Sequence, residues 1–278
     1  MKRRDFLKTV GAGATVFALP NGMHEGASMD KPNVILMMAD DMGWGDVGFN
    51  GNEIIQTPNL DRLALEGIRF NEFFSGAPVC SPTRASCLTG RHPFRHGIWK
   101  ANVGHLPRRE VTISSVLRKE GYATGIFGKW HMGIPNSDYR GKGGGKKHYC
   151  FPEWFDFGEH FVTHHAVPTW DPFGADGSEA ATTGNPYFEN GKRVTEPLTG
   201  CDSRITMDRA IPFIRKSVEA KKPFFAVIWF HAPHGPVVAG PEYRAMYSQY
   251  GKKKQNYYGC ITALDDQVGR LSAELKAL

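Results

Sequence analysis

An α/β fold, built on a mostly parallel sheet with helices on both faces, is what the sequence predicts. Three observations carry this. Residues 33–39 and 224–230 are unbroken apolar runs, as strands covered on both faces require. Stretches of helical periodicity alternate with such runs. Unusual polar residues fall just beyond them: Asp40-Asp41, then Lys129 and His131, then His231 and His234. Ligands of open parallel sheets bind beyond the carboxyl ends of the strands, so these residues mark the candidate site.

The elements follow in order. Residues 33–39 form the first strand. Thr57 as N-cap and Pro58 in the first turn open a helix with Leu60, Leu63 and Ala64 on one face, closed by Gly67. Residues 68–74 read as the next strand. A helix over 84–89 follows Cys80, another spans 111–120 and ends at Gly121, and 122–127 returns to a strand. Residues 140–200 are loop-rich, and the glycine-lysine run 141–147 reads as a mobile surface loop. A helix over 203–220 precedes the strand 224–230. The final helix, 257–278, carries Ile261, Leu264, Val268 and Leu271 on its apolar face, and Lys252-Lys253-Lys254 reads as a solvated helix start. No internal repeat is present.

With 278 residues, 41% hydrophobic and 22% charged, the chain can bury a real core, and its 32 Gly and 18 Pro imply long, shaped loops around it. The formal charge is +6; residues 1–29 carry Lys2, Arg3, Arg4 and Lys8 against Asp5 and Glu25, a surplus of two, so the remainder carries +4. That excess suits an anionic substrate. No arginine-rich arm, zinc-finger spacing or aromatic RNA-binding motif accompanies it, which argues against nucleic acid. The first 29 residues read as an export signal: a basic start with an Arg3-Arg4 pair, then an apolar stretch over 9–19 that is too short to span a bilayer. The pattern is similar to a twin-arginine signal. It implies the twin-arginine export machinery, a periplasmic or extracellular location and no stable membrane span. Five cysteines, an odd number, leave at least one unpaired or chemically committed in an exported protein.

The chemistry concentrates in a few segments. Cys80-Ser81-Pro82-Thr83-Arg84, followed by Thr89-Gly90, sets a cysteine at the mouth of a helix whose N–H groups favour anions, with an arginine one turn on. Gly125 to Gly128 lead into Lys129-Trp130-His131, a compact cation beside a group that titrates near neutrality. Asp40-Asp41 are adjacent carboxylates at a strand end, which repel unless a cation or donors compensate. Ala232-Pro233-His234-Gly235-Pro236 offers a second histidine, with His231 as its competitor. His164-His165 and Trp170-Asp171-Pro172 could line a substrate cleft or pack an irregular loop.

The first of these segments resembles the signature of formylglycine-dependent sulfatases in the alkaline-phosphatase-like superfamily, and the Lys129 segment resembles their second signature. Cys87 and Phe127 depart mildly from those patterns; Cys87 is read as packing, and a Cys80–Cys87 disulfide would abolish the chemistry. The resemblance implies that a formylglycine-generating enzyme oxidises Cys80 to an aldehyde whose hydrate attacks sulfur. It gives Arg84 and Lys129 to the sulfuryl oxygens, His131 the role of proton acceptor, and His234 that of assisting the leaving alcohol. Asp40 and Asp41, with Cys80 as modified, would hold calcium, a hard cation that takes oxygen ligands. The implied substrate is a sulfated small molecule or polysaccharide. Residues 30–278 match the front of the family's catalytic domain. A following strand ending in Ser-Asp-Asn-Gly, with further calcium ligands, is not among them, and Asp265-Asp266 belong to the preceding helix. This stretch by itself is therefore expected to expose apolar surface at an open sheet edge, to be weakly stable and to be inactive. Two rivals stand beside this reading: a phosphonate or phosphate ester hydrolase of the same superfamily, and a non-catalytic anion- or glycan-binding protein.

Overall fold

The computed structural model describes residues 31–139, 148–173 and 185–278; the segment read as an export signal and the glycine-lysine run lie outside them. The sheet has six strands in the order β1-β6-β2-β3-β4-β5, where β1 is Val34–Asp40, β2 Ala123–Lys129, β3 Glu159–Thr163, β4 Tyr187–Glu189, β5 Lys192–Arg193 and β6 Phe224–Pro233. The first four in that order are mutually parallel, and β4 and β5 add an antiparallel edge. Chain order and spatial order differ because parallel neighbours need crossovers, which the helices supply.

β6 is buried along its whole length, and its residues alternate between two cores. Phe224, Ala226, Ile228 and Phe230 face one core, shared with Ile211 and Ile214 of α5 (Asp202–Glu219) and Leu264, Val268 and Leu271 of α7 (Lys252–Ala277). Phe225, Val227 and Trp229 face the other, shared with Ala85 and Leu88 of α2 (Cys80–Thr89) and with Trp130, Phe155 and Phe157. Helices thus cover both faces, as the patterning requires. Gly128 lies where β2 runs closest to β6. Its φ is 105°, and an added Cβ would sit 1.9 Å from the Trp229 carbonyl oxygen, so no other residue fits.

The first helix, α1 (Pro58–Glu66), has Pro58 in its first turn as expected, but Thr57 makes no side-chain cap. Asp265 of α7 does this instead. Its carboxylate accepts from the Asn59 and Leu60 backbone N–H groups at 3.0 and 2.7 Å, closing the helix start from 206 residues away. The later helices α3 (Pro93–His96), α4 (Ile113–Lys119) and α6 (Pro241–Ala245) are short. α4 is capped by Thr112, whose hydroxyl accepts from Ser115 N–H. Among the described residues no helix is long and apolar enough to cross a membrane.

Two expectations are corrected. Residues 68–74 form no strand; Ile68, Phe70, Phe73 and Phe74 stand 73–84% exposed. β1, read as covered on both faces, is only half-buried over 34–39, because it lies at the edge of the sheet and pairs with β6 alone. An apolar run specifies what a strand could bury and leaves open whether a neighbour is there to bury it. The helix over α2 starts at Cys80 itself, earlier than the spacing indicated, and the last helix starts at Lys252.

Candidate active site

β1, β2 and β6 end side by side, so Asp40, Lys129 and the residues around Pro233 meet at one edge of the sheet. Arg84, one turn into α2, reaches the same point. All three charged side chains of this group are buried. Lys129 Nζ donates to Asp40 Oδ2 in a short hydrogen bond. Arg84 Nη2 lies 3.2 Å from Asp40 Oδ1, an ion-pair contact not aligned as a hydrogen bond, and Nη1 donates to the Lys129 carbonyl at 2.9 Å. The guanidinium packs 5.0 Å from the centre of the Trp229 ring. Burial alone would raise the Asp40 pKa, but the Arg84 and Lys129 charges outweigh it and hold the carboxyl below its usual range. Burial and then the Arg84 charge pull the Lys129 ammonium below its ordinary value, with Asp40 opposing.

One carboxylate therefore faces two buried cations. Arg84 Nε and Nη2 remain buried donors without a hydrogen-bond acceptor. A buried donor left unmade costs about 1–3 kcal/mol, so the pair is built to receive a further acceptor, and an anion is the acceptor that would also balance the charge. Cys80, in the first turn of α2, is half-buried and stands one turn before Arg84. All five cysteines are free thiols, so no Cys80–Cys87 bridge competes; burial raises the Cys87 thiol, in keeping with packing.

His131 follows β2 in a left-handed backbone conformation, φ 53°, unusual for a histidine. Its backbone N–H donates to the His164 carbonyl at 3.0 Å, and its ring stacks on that of His165 with centroids 5.6 Å apart. Its Nε2 donates to Asn102 Oδ1 at 2.7 Å, which leaves Nδ1 as a buried lone pair with no partner. Burial, then the charges of Lys129 and His165, lower its pKa well below the ordinary value. The ring is thus neutral at pH 7 and carries an unused acceptor.

The two competing histidines separate clearly. His231 lies inside β6, fully buried, with Nδ1 2.9 Å from Asp202 Oδ2 and Nε2 2.7 Å from Thr163 Oγ1. Tyr187 donates its hydroxyl to the other Asp202 oxygen, and Thr163 donates to the His165 carbonyl at 2.7 Å. Every polar atom of His231 is spent on joining α5, β3 and β6. His234 is 31% exposed at the mouth of the site, with Nε2 3.7 Å from Asp41 Oδ2. Trp170 packs against Gly240, and Asp171 accepts from Gly200 N–H at 2.6 Å, so that segment serves loop packing, while His164 and His165 adjoin His131.

Asp40 and Asp41 are oxygen donors of the type calcium takes, yet they do not form a cation site by themselves. Both Asp40 oxygens face Arg84 and Lys129, Asp41 (φ 65°) turns its carboxylate outward, and no group of three metal-ligating side chains occurs among the described residues. Six to eight oxygens are the usual requirement, which these two carboxylates alone do not meet.

The Sulfatase family model matches residues 32–278. The chain belongs to the sulfatase family. It is similar to N-acetylgalactosamine-6-sulfatase of Canis lupus familiaris, 32% identical over 92% of this chain and 49% of that protein. It is also similar to arylsulfatase G of Mus musculus, 33% identical over 86% of this chain and 49% of that protein. Among solved structures, Ps i-CgsB in complex with k-i-k-neocarrahexaose aligns with a TM-score of 0.73 and 34% identity, over 89% of this chain and 55% of that one. The chain spans about half the length of the curated relatives it matches.

Several residues of this candidate site had no signal in the sequence. Asn102 lies in an irregular segment with no motif, and only the fold brings it to His131. Asp202, Tyr187 and Thr163 are unremarkable in isolation; their role depends on a buried histidine from another strand. Trp229 looked like one more apolar residue of β6 and proves to be the floor under Arg84.

Proposed function

We propose that the full-length protein hydrolyses sulfate esters of a sulfated carbohydrate, with Cys80 as the nucleophile position. The single observation that carries this is the buried Arg84–Asp40–Lys129 group beside Cys80, in which two cations face one carboxylate and two guanidinium donors lack an acceptor. A tetrahedral sulfuryl group placed over Cys80 supplies those acceptors. Family membership supports the reaction class, and the named relatives and the neocarrahexaose complex support a carbohydrate.

Oxidation of Cys80 to formylglycine would supply a hydrated aldehyde as the nucleophile. The remaining work falls to the side chains. Arg84 and Lys129 bind the sulfuryl oxygens and stabilise charge as it builds there, in a site where burial strengthens each contact. His131 accepts a proton at Nδ1, held in that tautomer by Asn102. His234, at the open side, protonates the departing alcohol oxygen. Calcium, which would need further oxygen ligands beside Asp40 and Asp41, export by the twin-arginine route and prior action of a formylglycine-generating enzyme belong to the same proposal, with residues 30–278 as the front of the catalytic domain.

The test pairs turnover with chemistry. The full-length protein, coexpressed with a formylglycine-generating enzyme, is expected to hydrolyse nitrophenyl sulfate faster than nitrophenyl phosphate. The Cys80 peptide should be lighter by the difference between a thiol-bearing methylene and an aldehyde. A faster phosphate reaction favours the phosphorus-ester reading. An unmodified thiol with no turnover favours a binding protein.

A further inference from the structure

A cavity of about 920 Å³ is lined by Asp46, Val237, the lysines 252–254, Asn256, Tyr257 and Tyr258. Its walls come from three places: the short helix Trp44–Asp46 after β1, the loop after β6, and the first turns of α7. The first two of these also carry Asp41 and His234. Asp46 comes five residues after Asp41 and Val237 three after His234, and Tyr257 donates its hydroxyl to Asp46 Oδ2 at 2.6 Å, tying α7 to the loop after β1. A ligand leaving the centre past Asp41 and His234 would run along the two segments that wall this cavity. Its volume is within the range of about 300–1,000 Å³ usual for ligand pockets.

The lining has a definite chemical character. Lys252, Lys253 and Lys254 are exposed, and none of them is in an ion pair among the described residues. The one carboxylate in the wall, Asp46, is already engaged by Tyr257 and by the Gly43 backbone N–H. Lys254 Nζ lies over the Tyr250 ring, 5.7 Å from its centre, so the charge itself is held against an aromatic face. Tyr258 packs edge-on against Tyr247 and Tyr250, which holds the aromatic wall rigid. Three lysines without a carboxylate partner, in a wall that also carries Tyr257 and Tyr258, suit a ligand that is both anionic and ring-shaped.

We propose that this cavity binds the neighbouring sugar units of a polyanionic carbohydrate chain whose scissile sulfate occupies the Cys80 centre. The inference rests on the sulfatase reading for its second half only, since binding can be measured without turnover. Calorimetric titration of the full-length Cys80→Ala protein with a sulfated carrageenan hexasaccharide is compared with the same titration of a variant that also carries Lys252→Gln, Lys253→Gln and Lys254→Gln. The triple replacement is expected to weaken binding about tenfold and to flatten its salt dependence, with little effect on the weak binding of the desulfated hexasaccharide. In the Cys80 protein, the ratio of KM for the hexasaccharide to KM for nitrophenyl sulfate should rise by a similar factor. Unchanged hexasaccharide binding, or equal loss for the desulfated sugar, overturns the proposal. Absence of nitrophenyl sulfate turnover would sink the sulfatase reading and leave the binding arm to decide the cavity.

Discussion

Asp40 shows how one side chain can hold a site together. Among the described residues it is the only carboxylate facing two buried cations, and replacing it with Asn leaves both uncompensated. Breaking a buried pair in this way costs about 3–5 kcal/mol; denaturant unfolding of Asp40→Asn should show a loss of that size, whereas Asp41→Asn, whose carboxylate is exposed, should lose far less. His164 makes a pH prediction. Burial, then the neighbouring His165, lower its pKa to about 3, against 6.5 when unfolded. Its folded pKa is depressed, so between pH 6.5 and about 3 the unfolded chain holds a proton that the native state does not. Stability falls as pH drops through that window. His164→Asn should flatten the fall by up to about 1.4 kcal/mol per pH unit, measured by unfolding at pH 7, 6 and 5. At this scale the sequence was most informative where residue types sit in tight order: Cys80 with Arg84, and Lys129 with His131. Asn102 and Asp202 escaped notice because their meaning lies in contacts across the chain.

Elements were predictable where their own sequence decides them. α5 and α7 have apolar stripes, and β6 is apolar throughout, so each carried its own answer. Residues 68–74 have the composition of a strand but no partner among the described residues, and pairing makes a strand. The start of α1 was placed correctly for an incomplete reason: Pro58 permits it, and the cap comes from Asp265. That gives a contrast between adjacent residues. Asp265→Ala should destabilise the protein by about 2 kcal/mol or more through loss of a buried cap, while Asp266→Ala, which loses one exposed bond from Tyr243, should fall within about 0.5 kcal/mol of wild type.

The molecule as a whole places a buried, charged centre at the carboxyl edge of a parallel sheet and leaves an apolar strip on its surface. Ile68, Phe70, Phe73 and Phe74 together expose more apolar side chain than a monomer ordinarily shows in one stretch. The 278-residue chain should therefore self-associate in sedimentation experiments, and Phe70→Ser with Phe74→Ser should reduce this. The overall architecture was readable because strand and helix periodicities alternate along the chain; the edge position of β1 was not, since strand order is set by crossovers that periodicity does not encode. In the proposed reaction, bond cleavage begins at Cys80. Turnover of nitrophenyl sulfate by the full-length protein and by its Cys80→Ala variant tests this most directly. The account predicts hydrolysis by the first and none by the second; a variant that keeps a substantial share of the activity would contradict it.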